Sequence, residues 1–80
     1  MRARITITLK NGVLDPQGKA IEGALHALGF AAVANVRQGK LIELDLPAAD
    51  GAAARTQLED MCEKLLANTI IEKYEIELKA

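Results

Sequence analysis

"ITITLKNGVLDPQGKAIEGALHALG", residues 5–29, contains two apolar periods joined by one loop, and the fold follows from how the three are read. Ile5, Ile7 and Leu9 alternate with Thr6, Thr8 and Lys10, the period of a strand that buries one face. Further on the period lengthens. Ala20, Ile21, Ala24, Leu25 and Leu28 recur at helical spacing, and Gly29 stands where a left-handed C-terminal cap is expected. Between them, residues 12–20 carry two glycines, an aspartate, a proline and a lysine, so the loop reads either as a phosphate cradle or as a helix start.

The cradle fails on spacing. A Walker A loop has four residues between its glycines and then Lys-Ser/Thr, because backbone N–H groups must wrap the phosphates and a hydroxyl must reach magnesium. Five residues separate Gly12 from Gly18, and Lys19 is followed by Ala20. Pro16 also removes a backbone donor from the loop. The helix start fits each residue: Asp15 as N-cap, Pro16 at the first helical position, and Asn11 and Gly12 in the turn that leaves the strand. Val13 and Leu14 are left as an apolar pair in a loop, a candidate subunit contact.

Working outward, residues 32–37 read as a second strand and Gln38-Gly39 as a turn. Residues 41–46 then read as a third strand, with Ile42, Leu44 and Leu46 on one side, so a hairpin is expected. Residues 47–51 form a loop in which Asp50 caps a second helix with the apolar stripe Leu58, Met61, Cys62 and Leu65. Asn68 stops that helix. Tyr74, Ile76 and Leu78 alternate with Glu75, Glu77 and Lys79 as a fourth strand. The order βαββαβ predicts an α+β fold, a ferredoxin-like antiparallel sheet with two helices on one face, as a single domain over residues 1–80.

A chain of 80 residues is near the lower end of what one core stabilises, and partner subunits would supply the missing burial. A formal net charge of -1, with one phenylalanine and one tyrosine, argues against nucleic acid, which calls for a basic surface and stacking rings. Cys62 is the single cysteine, so no internal disulfide forms. No apolar run reaches the ~20 residues of a membrane span, and no signal-peptide core follows Met1, so the cytoplasm is expected and no membrane partner.

Candidate chemistry is sparse. Helical spacing places His26 with Lys19, Glu22 and Gly23 opposite the apolar stripe, where a solvated histidine needs no further role. Cys62 shares the stripe of Leu58 and Met61, as a small hydrophobe does. Glu43, Asp45, Glu75 and Glu77 fall on outward strand faces beside lysines, a mixed polar surface. Asn35 and Arg37 keep open a small hydrolase on the same scaffold. No set of residues supplies nucleophile, base and oxyanion donors together, so no catalytic, cofactor-binding or metal-binding residue is assigned.

The segments "LKNGVLDPQGKAIEGALHALGF" (residues 9–30), "VRQGKLIEL" (36–44) and "CEKLLANTIIEKYEIE" (62–77) resemble the PurS family, the small subunits of phosphoribosylformylglycinamidine (FGAM) synthase. Thr69 departs from the proline expected after "LLAN". The resemblance implies an accessory subunit of a glutamine-dependent, ATP-consuming carbon–nitrogen ligase in purine biosynthesis. It further implies an adaptor, inactive alone, that holds a glutaminase subunit (PurQ) against a synthetase subunit (PurL), assists ammonia transfer, and forms homodimers or higher homo-oligomers. ATP and magnesium are then used by the synthetase and not bound by this chain. The rival expectation is a free-standing regulatory module of the amino-acid-binding type.

Overall fold

The computed structural model describes residues 1–47 and 50–79. β1 (Arg2–Leu9) is the middle strand of a three-stranded sheet, flanked by β2 (Lys40–Asp45) and β3 (Glu72–Lys79), both antiparallel to it. The register sets Ile5 between Ile42 and Ile76, and Ala3 between Leu44 and Leu78. One face of the sheet is therefore apolar from Ala3 to Ile7, with Lys40 and Glu72 entering it only at the end where β2 begins, and Ala3, Ile5 and Ile7 are at most 1% exposed. Because side chains alternate, the other face takes Arg2 and Arg4 from the centre and carboxylates from both edges.

α2 (Gly51–Met61) closes the apolar face. Its Ala54 and Leu58, followed by Cys62, meet Ala3, Ile5, Ile7, Leu46 and Ala67 in one core. Asp50 caps this helix as its position predicts, with Oδ1 accepting from the Ala53 N–H at 2.8 Å. Past Met61 the helix widens into one π turn, Cys62–Leu66, closed by the Ala67 N–H donating to the Cys62 carbonyl at 3.0 Å. The wider turn accommodates an extra residue and rotates the chain beyond it. Leu65, expected in the apolar stripe, is consequently turned outward and 83% exposed, while Ala67 takes the buried place. Of the expected loop at residues 47–51, positions 48 and 49 lie outside the described residues, as does position 80.

The α+β class and the antiparallel sheet agree with the sequence reading, but two details differ. Residues 32–37 form no strand, and the expected hairpin is absent from the described residues: β2 pairs with β1 instead. Asn35 sits at φ 58°, a left-handed conformation that breaks an extended run, and neighbouring alanines give little β preference. The second difference concerns α1 (Pro16–Ala27), which does not lie on the sheet beside α2. It projects from one end as an arm. The radius of gyration is 16.0 Å, against roughly 12 Å for a compact domain of this length, and the extents are 50 × 26 × 14 Å.

Candidate interaction surfaces

The arm starts as the sequence predicts. Asp15 Oδ1 accepts from the Gly18 N–H at 2.9 Å and Pro16 occupies the first turn, so a carboxylate of the chain itself takes the donor at the helix start. It also ends as predicted. Gly29 adopts φ 101°, and the Phe30 N–H reaches back to the Leu25 carbonyl at 3.0 Å, which closes the helix in a left-handed cap. Beyond it the chain runs back along the helix toward the sheet without regular structure.

Polar side chains of α1 hold that return. His26 Nε2 lies 2.6 Å from the Val33 carbonyl, so the ring is anchored rather than merely solvated. The Val36 N–H donates to Glu22 Oε1 at 3.1 Å, and the Gln38 N–H donates to Asp15 Oδ2 at 2.8 Å. Arg37, kept open as a hydrolase residue, directs its guanidinium to the carbonyls of Leu9, Lys10 and Val13, each at 3.4 Å. Its charge is spent on the backbone of the arm's root, and Asn35 serves as the left-handed residue of the return. The Gln38 and Gly18 N–H groups hold the Asp15 carboxyl below the usual carboxylate range, and the Val36 N–H does the same for Glu22.

The surface that the arm leaves uncovered is apolar. Leu14 is 72%, Leu28 74% and Phe30 57% exposed, and Ile21 is also open; Val13 and Leu25 are half-buried. The helical stripe of Ile21, Leu25 and Leu28 thus exists as read, but the protomer covers only Leu25 in part and leaves Ile21 and Leu28 open. Of the candidate contact pair, Leu14 is the open member. Sequence reasoning did not single out Leu28 or Phe30 as surface residues, although a leucine and a phenylalanine flanking the cap glycine were there to be weighed. A second apolar patch, Leu65 and Ile70, lies at the junction between α2 and β3.

The outer sheet face is polar and internally matched. Arg2 bridges Asp45 at 3.1 Å and Glu43 at 3.3 Å, and Arg4 lies 3.9 Å from Glu77. Glu43, Asp45 and Glu77 are thereby set against arginines rather than paired with a second acid for proton transfer, and Glu75 stands opposite Thr6. Glu72 is the buried exception: it accepts from the Asn68 N–H at 2.6 Å and from Lys40 Nζ at 3.2 Å, which hold its carboxyl low. A cleft of about 290 Å³ separates it from Asp15, at the angle between arm and sheet. Cys62 lies in the core, where burial pushes its thiol up, away from the nucleophilic thiolate. Among the described residues no three metal-ligating side chains gather, and no helix is long and apolar enough to cross a membrane.

A chain rich in open surface and poor in reactive groups has close relatives. The family model for PurS, phosphoribosylformylglycinamidine (FGAM) synthase, matches residues 2–80. The PurS subunit of Synechocystis sp. is 52% identical over 96% of this chain and 77% of its own length. That of Bacillus subtilis is 42% identical over 98% of this chain and 92% of its own. The solved structure of B. subtilis PurS superposes with a TM-score of 0.89 at 42% identity, covering 99% of this chain and 98% of that one. A chain in the structure of PurLQS from Thermotoga maritima gives 0.87 at 32% identity, over 95% and 93%. Superposition of nearly whole chains at these scores includes the projecting arm, which is therefore a shared feature. On sequence and on structure alike, the chain belongs to the PurS family, the small subunits of FGAM synthase.

Proposed function

We propose that this chain is the non-catalytic adaptor of an FGAM synthase complex. It holds a glutaminase subunit of the PurQ type against a synthetase subunit of the PurL type, in the cytoplasm. In that reaction glutamine supplies ammonia and ATP activates the amide oxygen of formylglycinamide ribonucleotide, which ammonia then displaces. ATP and magnesium act in the synthetase. The observation that carries the proposal is likeness along the whole chain to PurS subunits, one of them solved within PurLQS of T. maritima. The arm supports it: an exposed apolar stripe on a small domain calls for partner chains, including further copies of itself. Tethering raises the effective concentration of one active site near the other, and a closed interface keeps ammonia from escaping or taking up a proton. Neither task needs a nucleophile.

The deciding experiment measures FGAM synthesis by matched synthetase and glutaminase subunits, with and without this chain, from glutamine and separately from ammonium salt. The adaptor requires that glutamine-dependent synthesis depend on the chain while ammonia-dependent synthesis largely does not. Indifference of both overturns it. Val13 and Leu14 are assigned to a subunit contact. Replacing both with serine is expected to weaken assembly, measured by size-exclusion chromatography with light scattering. Unchanged assembly removes the pair from that role.

A further inference from the structure

We infer that Asp15 is a positioning residue for glutamine-dependent FGAM synthesis, because its carboxylate clasps the two strands of chain that cross at the root of the arm. Its role in synthesis, though not the clasp itself, rests on the adaptor reading. Two crossings define the root: residues 12–16 leave the sheet and residues 36–39 return to it. No large apolar side chain of the arm is fully buried, so packing does not set its direction. Asp15, at 6% exposure, touches both crossings: Oδ1 takes the Gly18 N–H at 2.9 Å and Oδ2 takes the Gln38 N–H at 2.8 Å.

Capping alone does not explain that residue. One oxygen satisfies a helix N-terminus, and serine, threonine, asparagine and aspartate all provide it. Only a carboxylate offers a second acceptor on the far side; an asparagine satisfying Gly18 would turn an NH₂ donor toward the Gln38 donor. Asp50 shows the contrast, since its carboxylate makes the cap to Ala53 and, among the described residues, spans to no second segment.

The surrounding glycines fit a closed clasp. A Cβ on Gly18 would lie 2.5 Å from the Val36 carbonyl oxygen, and one on Gly39 would lie 2.7 Å from the Ile7 carbonyl oxygen. The returning chain thus passes hard against the helix start and then against β1. Leverage makes the root matter. The 12 residues of α1 extend about 18 Å, so a swing of about 10° at Asp15 displaces Leu28 and Phe30 by about 3 Å. A misplacement of about 1 Å away from the chemistry is already enough to slow a coupled reaction severely.

The test uses Asp15→Ser, which keeps a cap for Gly18 but cannot span to Gln38, and Asp15→Asn, which keeps the shape and reverses the second contact. Asp50→Ser is the control. In the reconstituted complex, the ratio of glutamine-dependent to ammonia-dependent FGAM synthesis is expected to fall at least tenfold for both Asp15 variants and to stay unchanged for Asp50→Ser. Glutamate formed per FGAM should rise above the wild-type value as ammonia is lost. In parallel, spin labels on Ala27→Cys and Glu75→Cys, diluted with unlabelled chain, report the arm's direction by pulsed dipolar spectroscopy. The distance distribution should shift or broaden in Asp15→Ser.

An unchanged distribution overturns the clasp whatever the rates. A shifted distribution with unchanged rates, in a complex that responds to wild-type chain, overturns the positioning role. A shifted distribution where wild-type chain stimulates nothing leaves the clasp standing and overturns the adaptor reading instead.

Discussion

The body of the molecule and its arm are held together by opposite means. In the body, Ile5, Ile7, Leu58 and Cys62 are sealed from water and the polar groups sit at the rim. In the arm, the buried residues are Asp15 and Gly18, while leucine and phenylalanine face solvent. Apolar burial is non-directional and tolerates small shifts, whereas hydrogen bonds donated by a particular N–H to a side chain fix an angle. A core is thus built for stability, and the arm for direction: its apolar residues are reserved for surfaces the protomer does not contain.

The largest effect should come from the body. Leu58→Ala removes a fully buried side chain and leaves a cavity, with an expected cost of ~2–5 kcal/mol in chemical denaturation at fixed protein concentration. Leu28→Ser in the arm should change protomer stability by less than ~0.5 kcal/mol while weakening assembly. Equal costs for the two would erase the distinction between the regions. Gly18→Ala comes next: it forces a Cβ against the Val36 carbonyl and should cost ~1–3 kcal/mol, the usual range for overpacking.

Acid should give the smallest effect and the sharpest separation. Asp15 and Glu22 have folded-state pKa values below their unfolded ones, so their contribution is complete above the ordinary carboxylate range and is lost as pH falls through the depressed values. The protection factors of the Val36 and Gln38 amides, taken against the intrinsic exchange rate at each pH, are therefore expected to fall below about pH 4. Amides of β1 should stay protected at the same pH. If β1 opens together with Val36 and Gln38, the arm is not an independent unit.

Local chemistry was legible in the sequence, and geometry at a distance was not. Asp15, Pro16, Gly29 and Asp50 act where their types and spacings place them, because capping involves neighbours within about four residues. The alternation of Ile5 and Ile7 likewise names the core face of β1. Residues 32–37 misled because a weak apolar alternation says nothing about whether a pairing partner exists, and the neighbouring edge of β1 had gone to β2. Leu65 misled because a single π turn changes phase without a sequence signature. The stripe of α1 was found correctly, but periodicity reports that a face wants cover and not which chain provides it. The rungs from Glu22 and His26 had a faint signal: with Asp15 they fall on one helical face, seven and four residues apart.

The order of strands has a bearing on synthesis. β1 is made first and lies in the centre, one neighbour is made midway, and the other, β3, is made last; Arg2 finally pairs with Lys79. During translation the middle strand therefore waits with an open edge until β3 has emerged from the ribosome. Such long-range pairing slows folding, and a nascent chain stopped before residue 72 lacks a wall of its core rather than an ornament. The arm, whose side-chain hydrogen bonds join residues at most 28 apart, can take shape before β3 exists.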